Sequence, residues 1–297
     1  MATTKKYLHE SLGSRIFDVV DVLIILAFLC IVLLPLIHVV MASFSSPVYY
    51  ASHEGLLLWP LHPTLAAYQA VTRNKNILIG YGNTLFVVIF GTAINMIMTI
   101  VAAYCLSRKN VMLRNLIMLA IVFTMYFSGG MIPFYLVVKS VGLTRTRWSL
   151  IIPSAMSTYN LIIMRTAMAS VPESLEESAK LDGANHWQIL WKIMVHLVKP
   201  TIAVILLYYV VSNWNAWFNA MLFIRDRNQY PLQLILREIL IQNDTTDMTA
   251  SMEGDEYLIS ETIQFATIVA ATAPVLCLYP FIQKYFVKGV MIGAVKE

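Results

Sequence analysis

The chain alternates stretches too apolar to face water with short polar joints, and this pattern excludes most folds before any motif is read. Six runs stand out, at residues 19–41, 80–106, 115–138, 148–169, 198–222 and 259–283. Each is long enough to cross a bilayer as a helix, which takes about 20 apolar residues. Inside hydrocarbon every backbone polar group must be paired within the protein, so only helices and closed barrels span a membrane. The alternating strands of about 10 residues that a barrel needs are absent. The expected fold is all-α and polytopic, with six transmembrane helices in a single domain over residues 1–297.

Composition agrees with this. Charged residues make up 13% of the chain and mean hydropathy is +0.68, whereas a soluble domain carries about 25% charged residues. The first run, Val19 to Met41, exceeds the 7–15 residues of a cleaved signal core and is read as a membrane helix. Lys and Arg set the orientation. With the N-terminus inside, 13 of the 21 basic residues fall on inner segments and the other 8 on longer outer ones. Both termini then face the cytoplasm. Cys30, Cys105 and Cys277 lie inside runs without metal-type spacing and are expected to pack in the core. The six histidines form no metal-like pair, and no metal site is expected.

Two outer loops follow from this topology, 42–79 and 223–258. The first has Pro-rich turn signals and a short helix from Thr64 to Thr72, with Thr64 as cap. The second carries an acidic tip that includes Asp244, Asp247 and Glu253. Ser128-Gly129-Gly130-Met131-Ile132-Pro133 interrupts the third run, and predicts a broken helix that either packs closely or lines a passage.

The inner segment 170–200 is the least membrane-like part of the interior of the chain. Ser170, Pro172 and Glu173 fit a capped helix start. That helix runs to Asp182, where Gly183 supplies the free φ of a helix end. Asn185 is placed to cap a second helix, with Trp187, Leu190, Trp191, Met194 and Val198 on one apolar stripe. Pro200 opens the fifth run. The hinge is lined by the small residues Ser178, Ala179, Gly183 and Ala184, which would let another surface approach. A helix lying on lipid headgroups is the plainer alternative.

These residues carry a resemblance. Glu177-Ser-Ala-x-x-Asp182-Gly183-Ala184, with Ile193 and Pro200 downstream, resembles the cytoplasmic loop of ABC-importer permease subunits, whose pattern is E-A-A-x-x-x-G. The tail 283–297 is similar to that of carbohydrate permeases, specifically the shorter partner of maltose-type importers and their oligosaccharide and polysaccharide relatives. Ser178 departs from the family's Ala, and His196 stands where the family has Pro. The resemblance implies the type I importer permease fold, in a bacterial cytoplasmic membrane. It implies that Glu177, Ser178, Ala179, Asp182, Gly183, Ala184, Ile193 and Pro200 seat in a cleft of a separate ATPase. Its implied partners are a homologous second permease, two ATPase subunits carrying ATP and Mg²⁺, a solute-binding protein met by Asp244, Asp247 and Glu253, a sugar and membrane lipid. No G-x-x-x-x-G-K-[ST] segment is present, so ATP is expected on the partner. Nucleic acid is not expected as a partner.

Asn213-Trp214-Asn215-Ala-Trp217-Phe-Asn219 lies in the fifth run. Asn213, Asn215 and Asn219 are costly in lipid and should face protein or a hydrated path, with Trp214 offering a face to sugar rings. Gly129 and Gly130 are candidates for the same path. Lys139, Arg145 and Arg147 on an outer loop are read as a solvated face or a surface suited to an acidic glycan or partner. Two other function classes compete. A membrane-embedded glycan-modifying enzyme would need carboxylates or histidines clustered at one membrane face. An ion-coupled carrier would need internal repeats and intramembrane carboxylates. Neither pattern is present, apart from Asp18 and Asp21 at the entry of the first run and Glu261 at that of the last.

Overall fold

The computed structural model describes residues 12–242, 261–277 and 280, and the regular elements among them are helices. The chain groups into two compact units, residues 1–73 with 245–269, and residues 74–244 with 270–297.

The first unit is built on Leu12–Ser43, a 32-residue helix that is apolar on all sides, with Pro35 inside it. Its C-terminal end is tied to the following loop by polar groups. The Ser43 hydroxyl lies 2.7 Å from the Tyr68 hydroxyl, His38 Nδ1 accepts from the Leu57 amide at 3.0 Å, and Ser45 Oγ accepts from the Leu61 amide at 2.9 Å. His38 is thus a loop anchor, packed edge-on against Phe265. The predicted loop helix is present as Ala66–Arg73, with Thr64 Oγ1 accepting from the Ala66 amide.

The second unit begins with a continuous 33-residue helix, Lys75–Ser107. Asn74 starts it, its side chain accepting from the amides of Asn76 and Ile77. Midway, Val87–Gly91 winds as a π-turn, the kind of bulge that recurs at functional positions. The third run is broken as expected: Arg114–Tyr126 and Met131–Ser140 meet at 118° around Gly130, whose φ is +84°.

Three expectations are corrected. The fourth run is two helices, Trp148–Ile151 and Thr158–Ala169, because Pro153 cannot continue the first and Ser157 caps the second. The outer loop after the fifth run is not loop throughout, since Leu232–Gln242 is a helix. Its Leu232, Ile235 and Ile239 are buried, and it packs so closely on Lys75–Phe86 that a Cβ at Gly80 would lie 2.6 Å from Ile235 Cδ1. Cys30, Cys105 and Cys277 are exposed free thiols rather than core residues. A helix in a bilayer is apolar on its outward face too, so hydrophobicity alone does not place a residue inside.

The core of this unit lies beneath the 170–200 segment. Leu161, Met164, Met168, Ile205, Ile189 and Met194 are at most 1% exposed, and they pack together with Ile100, Ala103 and Tyr209. Helices 92–107, 158–169 and 199–214 therefore share one apolar interior with the second arm of the inner segment.

Candidate functional site

The inner segment is a helical hairpin. Its first arm, Glu173–Leu181, ends in paired backbone bonds, Gly183 N–H to Lys180 O at 3.0 Å and Ala184 N–H to Ala179 O at 2.9 Å. This is the two-bond C-terminal cap that needs a left-handed residue, and Gly183 supplies it at φ +81°. The Asn185 side chain accepts from the Gln188 amide while the Gln188 side chain accepts from Asn185 N–H, so both orphan donors of the second arm are paired. That second arm, His186–Leu197, meets Lys199–Trp214 at 86°, with Pro200 in the first turn of the latter.

Two local readings change. The first arm starts at Glu173 after Pro172 and has no side-chain cap. Ser170 instead donates to Ala167 O and finishes the preceding helix. The apolar stripe of the second arm splits. Leu190, Met194 and Val198 are buried together with Ile189, while Trp187 and Trp191 are 61% and 41% exposed. The cause is a π-wound segment, Ile189–Met194, whose i→i+5 pairing rotates the face away from a 3.6-residue period.

The predicted docking residues divide by depth. Glu177, Ser178, Asp182 and Gly183 are exposed at the tip. Ala179 is buried, and Ala184, Ile193 and Pro200 are half-buried. Beside the tip, Leu181 is 89% exposed. Among the described residues, nothing lies within 4 Å of where a Gly183 Cβ would be. The tip is an ordered knob with open space around it.

Its foot is held by a charge cluster that the sequence reading missed. Arg108, just past the 75–107 helix, pairs with Glu176 of the first arm, and Lys180 pairs with the same carboxylate at 2.9 Å. Arg108 also donates to Met168 O at 3.1 Å, at the end of the 158–169 helix, and lies 5.1 Å from the Tyr104 ring centroid. Tyr104 Oη is 3.0 Å from His186 Nδ1. Arg165 Nε donates to Leu106 O at 3.3 Å. Side-chain exposure is 14% for Arg108 and 9% for Glu176. Burial by itself would raise the Glu176 carboxyl, but the Lys180 hydrogen bond and the Arg108 charge together outweigh it and hold the group below the usual carboxylate range. Tyr104, Arg108, Glu176, Lys180 and His186 line a cleft of about 490 Å³. One guanidinium thus joins helices 75–107 and 158–169 to the arm that carries the tip. The missed signal was Arg108 against Glu176, since a cation at a span end reads only as an orientation mark.

The path candidates are not gathered into one place. Asn213 is buried, donating from Nδ2 to Thr92 Oγ1 at 3.1 Å and Asn95 Oδ1 at 3.0 Å. It faces the π-turn, where a Gly91 Cβ would come within 3.0 Å of it. Trp214 is 4% exposed and donates from Nε1 to Ala271 O. Both sit between helices. Asn215 is exposed and bonds back to Val211 O, Asn219 is half-buried, and Gly129 and Gly130 are exposed at the 118° break. Asp244, Asp247 and Glu253 lie outside the described residues. Among the described residues no group of three His, Cys, Asp or Glu could hold a metal ion.

The described residues form a helical membrane protein with a clamped, surface-projecting helical knob. Residues 95–292 match the family described as binding-protein-dependent transport system inner membrane component, and the chain belongs to it. Protein LplC of Bacillus subtilis (strain 168) is 39% identical over 289 residues, 97% of this chain and 98% of that protein. The polygalacturonan/rhamnogalacturonan transport system permease protein YtcP of the same strain is 42% identical over 288 residues, 95% of this chain and 99% of that one. A chain in the crystal structure of a bacterial ABC transporter involved in the import of the acidic polysaccharide alginate matches with TM-score 0.88 and 34% identity, over 94% of this chain and 99% of that chain.

Proposed function

We propose that this chain is the transmembrane subunit of an ATP-driven importer for an oligosaccharide or polysaccharide, with the 170–200 hairpin as its coupling device. ATP with Mg²⁺ is hydrolysed by two partner ATPase subunits, a homologous permease completes the passage, and a solute-binding protein delivers the sugar. The hairpin faces the cytoplasm, as do both termini.

The observation that carries this reading is the contrast between tip and foot. Gly183 and its exposed neighbours have open space around them, while the arm behind them is fixed by Arg108 and Glu176 to helices 75–107 and 158–169. A lipid-lying helix would present bulk at its surface. At its turn this one presents Ser178, Asp182 and Gly183 beside the exposed Leu181, a tight projecting shape that can enter a cleft. When the ATPase pair closes, displacement of the tip passes through the first arm to helices 75–107 and 158–169 without a flexible joint. The sugar names come from YtcP and from the alginate transporter. The test is reconstitution of the chain with its homologous permease, ATPase and binding protein in proteoliposomes. Oligosaccharide uptake that requires ATP is expected. Uptake driven by an ion gradient without ATP would overturn the reading.

A further inference from the structure

At the opposite end from the coupling hairpin, three cations share one small pocket. Lys139, Arg145 and Arg225 line a space of about 400 Å³ together with Tyr135, Thr144 and Phe223. All three cations are exposed, and among the described residues no ion pair neutralises any of them. Arg147, two residues along, behaves differently. It turns inward to Asn83 Oδ1 at 3.1 Å and over the Phe86 ring. The pocket cations have no such occupation.

The pocket is rigidly built. The Met131–Ser140 helix ends at Gly142, φ +75°, with Gly142 N–H to Lys139 O at 3.0 Å and Leu143 N–H to Val138 O at 3.2 Å. Arg145 is held at φ +66°, a region few non-glycine residues adopt, while its amide donates to Phe223 O at 2.9 Å. Phe223 is 2% exposed, and Tyr135 stacks on it at 5.9 Å with 6° between the rings. Fixed backbone thus holds three like charges around a concave space, where they repel one another unless an anion enters.

We propose that this pocket binds the carboxylate of a uronic-acid unit of an acidic oligosaccharide at the outer mouth of the passage; the proposal rests on the importer reading and specifies its substrate class. Two guanidinium groups can each donate a two-bond fork to a carboxylate, with Lys139 as a third charge. Thr144 adds a hydroxyl, and Tyr135 an aromatic edge. The volume fits a small-ligand cleft, and so a sugar unit rather than a protein surface, which would need a broad, flatter face.

The purified permease–ATPase complex, without the binding protein, is titrated calorimetrically with trigalacturonate and with its trimethyl ester, equal in length but uncharged. Tighter binding of the acid is expected, weakening as salt is added. Arg145→Gln or Arg225→Gln should each lower affinity for the acid roughly tenfold, with the ester affected several-fold less. Arg145→Lys should retain more than Arg145→Gln, and unchanged thermal midpoints exclude misfolding. Equal binding of acid and ester by the wild type, equal losses for both ligands, or variants that bind the acid like the wild type would each overturn the proposal. ATP-dependent uptake of any oligosaccharide by the same complex, reconstituted in proteoliposomes together with its binding protein, separates the two ideas. If uptake persists in those cases, the importer reading stands and only the pocket assignment fails. If no sugar is taken up, both fall.

Discussion

At the residue scale, Gly183 and Glu176 carry separable jobs, and each yields a prediction. A Cβ at Gly183 meets no atom of the described residues, yet φ is +81°. Gly183→Ala and Gly183→Leu should therefore cost the isolated subunit the same amount, about 1 kcal/mol, from the left-handed backbone alone. They should diverge only when the tip enters a partner cleft. Co-purified ATPase should fall modestly with Ala and be largely lost with Leu, since overpacking adds about 1–3 kcal/mol. Equal retention with both would mean the tip is only a surface turn. Glu176 acts inside the chain. Its carboxyl is depressed below the usual value of 4.5, so its stabilisation is complete above that pH and is lost as pH falls through the lowered value. Glu176→Gln should destabilise by about 2 kcal/mol at neutral pH, less than the 3–5 kcal/mol of a dry pair because the Lys180 end is open to water. Thermal midpoints of wild type and variant should converge only in acid below 4.5. A gap independent of pH down to about 3 would show that the ion pair does not hold the arm.

At the scale of elements, the contact between Lys75–Phe86 and Leu232–Gln242 is set by the missing side chain of Gly80. The added methyl of Gly80→Ala would lie 2.6 Å from Ile235 Cδ1 and 3.2 Å from the Leu232 Cα. The first neighbour is the end of a flexible side chain, while the second is backbone and cannot yield without moving the helix. We expect a loss of about 1–3 kcal/mol. Ile235→Val, which removes Cδ1, should restore part of it in the double variant, and the backbone contact leaves the rest. Additive losses in detergent unfolding would show that the two helices do not pack at this point. The same helix pair is joined by polar groups. Asn83 Nδ2 donates to Asn228 O and Tyr230 O, and Thr84 Oγ1 accepts from the Leu232 amide at 2.8 Å.

At the scale of the whole molecule, the chain supplies a hairpin and a helical bundle but no P-loop. Native mass spectrometry of the affinity-purified transporter should therefore find one copy of this chain with one homologous permease and two ATPase subunits. A transport-competent assembly without ATPase subunits would contradict that composition. The knob also predicts where assembly is sensitive. Substitutions at exposed Glu177 should weaken ATPase retention in a salt-dependent way, while those at buried Ala179 should act first on the hairpin itself.

The sequence by itself determined the helical class, the apolar runs, the break at Gly130 and the turn at Gly183. Each follows from local physics: the pairing of backbone groups in hydrocarbon, the kink at Gly and Pro, and the cost of positive φ. It also marked the hairpin motif, because small residues between capped helices are a local pattern. Only the tertiary structure decided which side of each apolar helix faces protein. In a membrane chain inward and outward faces are alike in hydropathy, so Cys105 and Trp214 could not be sorted by type. The Arg108–Glu176 clamp, Asn213 against Thr92 and Asn95, and the exchange of Arg147 for Arg225 beside Lys139 and Arg145 were equally illegible. Each joins residues far apart in the chain, or depends on which way a side chain turns, and no spacing along the sequence encodes that.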